Sequence, residues 1–392
     1  MEALATLAAL GRRVPIELIG CLFMTSFVLI MPTTVQLVQS KICEEEYPGI
    51  DTNSLACDSA EISAKTSQAT LLLQVVQIVP AIVVSTALGA WSDSIGRKPC
   101  LVLGLAGSVV YAIILLLVSS FSWSWKILYF GNVVFGLTGS APLVLMALFS
   151  ILVDATTFES RTMRIAVMEG CVYMSLVTGY LVGGPLTRYF GFPVTFATTV
   201  CLTGIATILS LFRAESLRPE YRKPKVSVMD ATIIHSGQLL TQARCRATLF
   251  PVTVIYARQA FHWQADVVDF YLAADSASRG AALLIVLPLL ERIAASRKRH
   301  LNELHLVRLG LCGAVLMYLG DYMLASPSGI YAMCALGPIA GLPLPVVRAY
   351  ISKRVPEEEL LCRTSTLTIL LVCVCVCVCV CVCVYPFLGF WS

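Results

Sequence analysis

The stretch GAWSDSIGRKP, residues 89–99, sets Asp93, Arg97 and Lys98 between two long apolar runs, with glycines at Gly89 and Gly96. Such a cluster suits electrostatic latching rather than covalent chemistry. Gly89 permits close helix approach, Gly96 can take the positive φ of a very tight turn, and Arg97 with Lys98 can anchor to an anionic membrane face. Asp93 can pair with Arg97 or meet the positive end of a facing helix dipole. A second candidate is Glu169 in RIAVMEGCVYM, a carboxyl on an apolar stretch one to two turns beyond Arg164. Partial desolvation there would make its protonation responsive to a proton gradient; the alternative is an interfacial Glu paired with Arg164 or Arg161. The chain has no GxxxxGK[ST] phosphate loop and no HExxH zinc motif. An ATP-driven pump or a membrane metalloprotease therefore lacks its parts, and no enzymatic activity, cofactor or metal site is expected.

The elements that carry these residues follow from composition. Of 392 residues 57% are hydrophobic and only 13% charged, with a mean hydropathy of +0.81. The solvent implied is a bilayer, which a helix crosses with about 20 mostly apolar residues because lipid offers the backbone no hydrogen-bond partner. Spans are expected at Val14–Val38, Thr66–Trp91, Cys100–Ser120, Ile127–Val153, Ile165–Thr187, Pro193–Phe212, Val267–Leu290, Leu309–Leu324, Ile330–Tyr350 and Thr364–Phe390, with a weak one at Leu249–Phe261. That makes about eleven, in an all-α membrane protein.

Charge sets the orientation. With a cytosolic amino terminus and alternating spans, all 28 Lys and Arg fall on the cytosolic side except Lys41, Lys65, Lys126, Arg188, Arg258 and Arg279, which are exofacial or within spans. This is a strong positive-inside bias. The first exofacial loop is acidic and holds Cys43 and Cys57, which in an oxidising compartment are expected to pair; a reversed orientation would favour two unrelated thiols.

A polar stretch, Ala214–Thr248, divides the chain. It reads as a cytosolic linker between an amino-terminal six-helix bundle, residues 1–213, and an incomplete carboxy-terminal bundle, residues 249–392. Repetition supports two halves, since ERIAASRKRH occupies the place in the second half that the charged knot occupies in the first. Two places disturb the pattern. Val372–Val384 alternates Val and Cys, a period that scatters thiols round a helix instead of building a metal site and that fits translation through a GT-dinucleotide repeat replacing the true end. The thin seventh segment carries Arg258, His262, Asp266 and Asp269, read either as functional charges at bilayer depth or as groups at the interface of a shortened helix.

The spacing G-x-x-x-D-x-x-G-R-K between the second and third spans resembles the signature loop of the major facilitator superfamily. The resemblance implies a two-bundle fold that exposes a central site to each side in turn, with the twelfth helix missing or replaced here. A narrower stretch, Asp154–Gly184, resembles the proton-coupled folate transporter and thymic stromal cotransporter group and its fungal relatives. That likeness implies a cytosolic gating network that includes Asp154 and Arg161, and a proton-coupling role for Glu169. Gly170, Gly179, Gly183, Gly184 and Pro185 come within one inserted residue of the pattern of the antiporter branch, although such residues also simply permit close helix contact.

Two functions are thereby in play. One is proton-coupled secondary active transport of a small organic solute by alternating access, in the plasma membrane or an endomembrane, with no nucleic-acid partner. The other is a receptor or scaffold of the same fold, or the degenerate product of a disrupted transporter gene.

Overall fold

The computed structural model describes residues 15–47, 57, 59–213 save 122, 158 and 159, then 215, 263, 265–296, 303–324, 326–343 and 346. The weak span Leu249–Phe261, the Val-Cys run and the linker apart from Glu215 lie outside the described residues. The elements are helical: α1 Ile16–Glu46, α2 Ala60–Ile95, α3 Arg97–Ser120, α4 Ile127–Leu137, α5 Ser140–Asp154 and α6 Arg161–Phe212. There follow α7 Ala265–Ala281, a π-helical turn Ala282–Val286, α8 Leu287–Ser296, α9 Glu303–Met323, α10 Pro327–Met333, a 3-10 turn Cys334–Leu336 and α11 Gly337–Ala340. Among the described residues six helical segments are long and apolar enough to cross a membrane, including 28 residues at Ile127–Asp154 and 24 at Val267–Leu290.

Local chemistry sets the breaks. Ser59 caps α2, its side chain accepting from the Ile62 amide at 3.4 Å. Gly96 ends α2 with φ +129°, and α3 starts at the next residue. Gly139 and Ser140, both at positive φ, separate α4 from α5. The 52 residues of α6 form two helices that meet at Gly191, φ +81°, between Pro185 and Pro193.

The chain falls into two compact units, Met1–Leu148 with Thr178–Ile234 and Phe149–Val177 with His235–Ser392. The core of the first gathers Leu37, Val38, Leu73, Leu115, Leu128 and Phe196 about the stacked rings of Tyr111 and Phe135, 5.1 Å apart. The core of the second joins Ala166 of α6 to Ala282, Leu283 and Leu287, with Leu342 and Val346. Residues 149–177 thus pack with the second half of the sequence. Outward faces are apolar as well: Leu72, Val75, Val79 and Val83 follow one another at helical spacing along α2, and all are exposed. Hydrocarbon solvates such a stripe, which is why the hydropathy is high on every face.

One end of the first unit is held by polar bonds. Cys43 and Cys57 form a disulfide with Cα atoms 5.5 Å apart. Lys65 bridges Glu46 at 2.7 Å and Glu61 at 3.1 Å, and the Trp125 indole donates to Glu45 at 3.3 Å. The ion pairs are exposed and contribute little each; the covalent link restricts the unfolded chain and is worth about 3 kcal/mol for a loop of about 15 residues. Replacing both cysteines with serine should therefore lower the thermal unfolding midpoint of the detergent-solubilised protein, and a midpoint unchanged from that of the parent chain would contradict this.

Candidate functional site

The charged knot is built on an abrupt change of direction. The φ of Gly96 favours glycine, and a Cβ there would collide with the Glu215 carboxylate. That carboxylate, just beyond the carboxy-terminal end of α6, accepts from the Arg97 amide at 2.8 Å through one oxygen and from the Lys98 amide at 3.1 Å through the other. It sits where the first amides of α3 have no intrahelical acceptor and where the helix dipole favours negative charge. The Arg97 side chain is buried and donates from Nη1 to Ser92 Oγ at 3.1 Å. Cys100 Sγ donates to the Leu88 carbonyl at 3.4 Å, and a Cβ on Gly89 would stand 3.1 Å from Met146 Sδ of α5. The loop between α2 and α3 is thereby fixed from both helices and from the end of α6. Gly96, Arg97 and Lys98 meet at Glu215, whereas the side chain of Asp93 lies outside the described ones.

Sequence reasoning missed Glu215. Its only signal is an acid in FRAES, directly after the apolar run that ends α6. Its partners lie 118 and 117 residues earlier.

The second unit holds the other candidates. Asp154 is exposed at the end of α5, Arg161 is buried at the start of α6, and Glu169 is buried at 4% exposure. Eight residues of helix separate Arg161 from Glu169, a rise of about 12 Å. Arg164, by contrast, is exposed. The residue after Glu169 is Gly170, where a Cβ would stand 2.6 Å from Leu284 Cδ2 in the π-helical turn. From the opposite side, a Cβ on Gly280 of α7 would stand 3.2 Å from Tyr173 Cβ and 3.8 Å from the Gly170 carbonyl oxygen. Paired glycines let α6 and α7 cross backbone against backbone, with Glu169 and Arg279 as their immediate chain neighbours.

Arg279 donates from Nε to both carboxylate oxygens of Asp275, at 3.1 and 3.0 Å, with both side chains one-fifth exposed. Asp269, earlier on α7, is buried at 6% exposure. Of the other charges in the thin segment, Arg258, His262 and the side chain of Asp266 lie outside the described residues. Gly179 and Gly183 belong to the first unit and pack on Val28 and Leu29 of α1, where the hydroxyls of Thr25 and Thr178 stand 3.3 Å apart. Among the described residues no group of three His, Cys, Asp or Glu side chains is placed to hold a metal.

Comparison with known proteins accords with this architecture. The family model of the Major Facilitator Superfamily matches residues 16–391. The proton-coupled folate transporter of Rattus norvegicus is 28% identical over 214 residues, 52% of this chain and 46% of that protein. The class E tetracycline resistance protein of Escherichia coli is 26% identical over 297 residues, covering 70% and 67%. The lysosomal proton-coupled steroid conjugate and bile acid symporter SLC46A3 of Gallus gallus is 32% identical over 200 residues, covering 47% and 43%. The chain thus spans about half the length of the folate and bile acid relatives. Among solved structures, the human organic anion transporter MFSD10 (TETRAN) superposes with a TM-score of 0.68 at 14% identity, over 93% of this chain and 91% of that one. On a match that runs nearly its whole length, this multi-pass membrane chain belongs to the Major Facilitator Superfamily.

Proposed function

We propose that the chain is a secondary active transporter that moves a small organic solute together with protons by alternating access, with Glu169 as the proton carrier. The observation that carries the reading is the burial of Glu169 beside Gly170, at a helix crossing kept thin enough for movement of either helix to change what surrounds the carboxyl. A carboxyl removed from water responds strongly to which charges and dipoles face it. Support also comes from relatives named as proton-coupled transporters.

In this reading residues 1–213 and 249–392 act as two halves joined by the linker 214–248, the amino terminus is cytosolic, and the protein resides in the plasma membrane or an endomembrane. The α2–α3 knot is the cytosolic latch, with Asp93 and Arg97 in its working part and Asp154 and Arg161 in the same gating network. Glu215 keeps the latch stiff by neutralising the start of α3, and the φ of Gly96 aims the turn. Cys43 and Cys57 clamp the exofacial ends of α1 and α2.

Two outcomes test this reading. Glu215→Ala strips the Arg97 and Lys98 amides of their acceptor, so hydrogen exchange at those amides should accelerate about tenfold, matching the cost of about 1.4 kcal/mol for losing a helix cap; unchanged exchange would remove Glu215 from the latch. In proteoliposomes, Glu169→Gln should abolish uphill accumulation driven by an acidic exterior yet preserve solute exchange between the two sides, which needs no net proton movement. Full pH-driven accumulation by that variant would assign the proton elsewhere.

A further inference from the structure

Arg279 stands near the middle of the 24-residue span Val267–Leu290, where an ionised side chain is costly unless the chain answers it. The answer is Asp275, one turn earlier on the same helix and bonded through Nε. A pair that served packing alone would be cheaper as two apolar residues, since desolvating two charges consumes most of what their attraction returns. Its surroundings are also unusual. A Cβ on Gly341 would stand 3.2 Å from Arg279 Cβ, Gly337 packs against Ser278, and Gly280 lies on Tyr173 and Met174 of α6. The end of α11 therefore meets α7 at an arginine that is still one-fifth exposed, and α6 lies against the next residue, Gly280. The π-helical turn starts three residues later, at Ala282, an irregularity frequent at functional positions in membrane helices.

We propose that Arg279 is the subsite for a carboxylate on the transported solute, and that Asp275 is its placeholder when the solute is absent. The proposal rests on the transport reading above and deepens it by naming the solute class as organic carboxylates. A planar guanidinium receives a carboxylate in two parallel bonds, which suits it better than an ammonium to exchanging one carboxylate for another. Exchange keeps the arginine paired in both states, and the Asp275 carboxylate that the solute displaces is neutralised by taking up a proton, so that no naked charge is left at bilayer depth. The middle of the membrane is also where a site must lie to be reached from either side in turn.

The test uses the full chain in proteoliposomes and counterflow of matched radiolabelled probes: benzoate, benzamide and benzylamine, and indole-3-acetate, indole-3-acetamide and tryptamine. The expected result is chain-dependent flux of the carboxylates. Arg279→Gln should reduce it roughly tenfold to a hundredfold, Arg279→Lys should fall between, and Asp275→Asn should lower the carboxylate KM severalfold. The double variant Asp275→Asn with Arg279→Gln carries no uncompensated charge, so it separates loss of the subsite from misfolding; it should stay monodisperse and remain inactive toward carboxylates. Flux confined to amides or amines, or carboxylate flux retained in the double variant, would overturn the subsite while leaving transport standing. No flux of any probe above protein-free vesicles would count against the transport reading, and the subsite would fall with it.

Discussion

Hydrocarbon gives a charged side chain no solvation, so each charge at bilayer depth must be answered by the chain itself. The crossing of α6 and α7 is where this constraint is most visible. Glu169 and Arg279 flank the two glycines that bring the helices together, and Asp275 holds the arginine at 3.0 Å. A larger residue at Gly170 would have to displace Leu284, and one at Gly280 would press on Tyr173. In the proposed reading the thin crossing governs which groups the buried carboxyl faces, and a shift of either helix alters that company. Proton coupling requires two such arrangements, because a ligand moves an equilibrium only through a difference in interaction between two states.

The same electrostatics act at the end of a helix in the other unit. The start of α3 exposes amides with no partner, and Glu215 satisfies two of them with one carboxylate. The partial positive charge of the helix end favours the carboxylate at that place. Gly96 is bound into this arrangement twice, by its φ and by the carboxylate occupying the place of a Cβ. Among the other described residues, packing such as the Tyr111–Phe135 stack and helix contacts at small residues hold the spans together.

Most of the fold is legible in the sequence because lipid demands an apolar surface on every outward face, so runs such as Cys100–Ser120 mark themselves without any periodicity. The tight turn at Gly96 is legible because few residues other than glycine tolerate that φ. Glu215 is hidden for a physical reason: an acid at the edge of a polar linker resembles a solvated charge, and its acceptor role depends on amides more than a hundred residues away. Arg161 and Arg164 stand less than one turn apart, one buried and one exposed, and only the packing of α6 tells them apart. Asp275 and Arg279 show the spacing of an intrahelical pair in the sequence, but what makes them a candidate site is the approach of Gly337 and Gly341 to Ser278 and Arg279 from an element distant in the chain. The grouping of residues 149–177 with the second half follows from those same contacts and leaves no trace in composition.

The central claim is that the carboxyl of Glu169 gains and loses a proton within the folded protein. Infrared difference spectroscopy of the reconstituted protein across a pH titration reads this directly, through the carbonyl stretch of a protonated carboxyl set against the symmetric stretch of a carboxylate. The account predicts a protonated-carboxyl band that converts to the carboxylate band as pH rises and is absent from the difference spectrum of Glu169→Gln. An identical titrating band in that variant would contradict it.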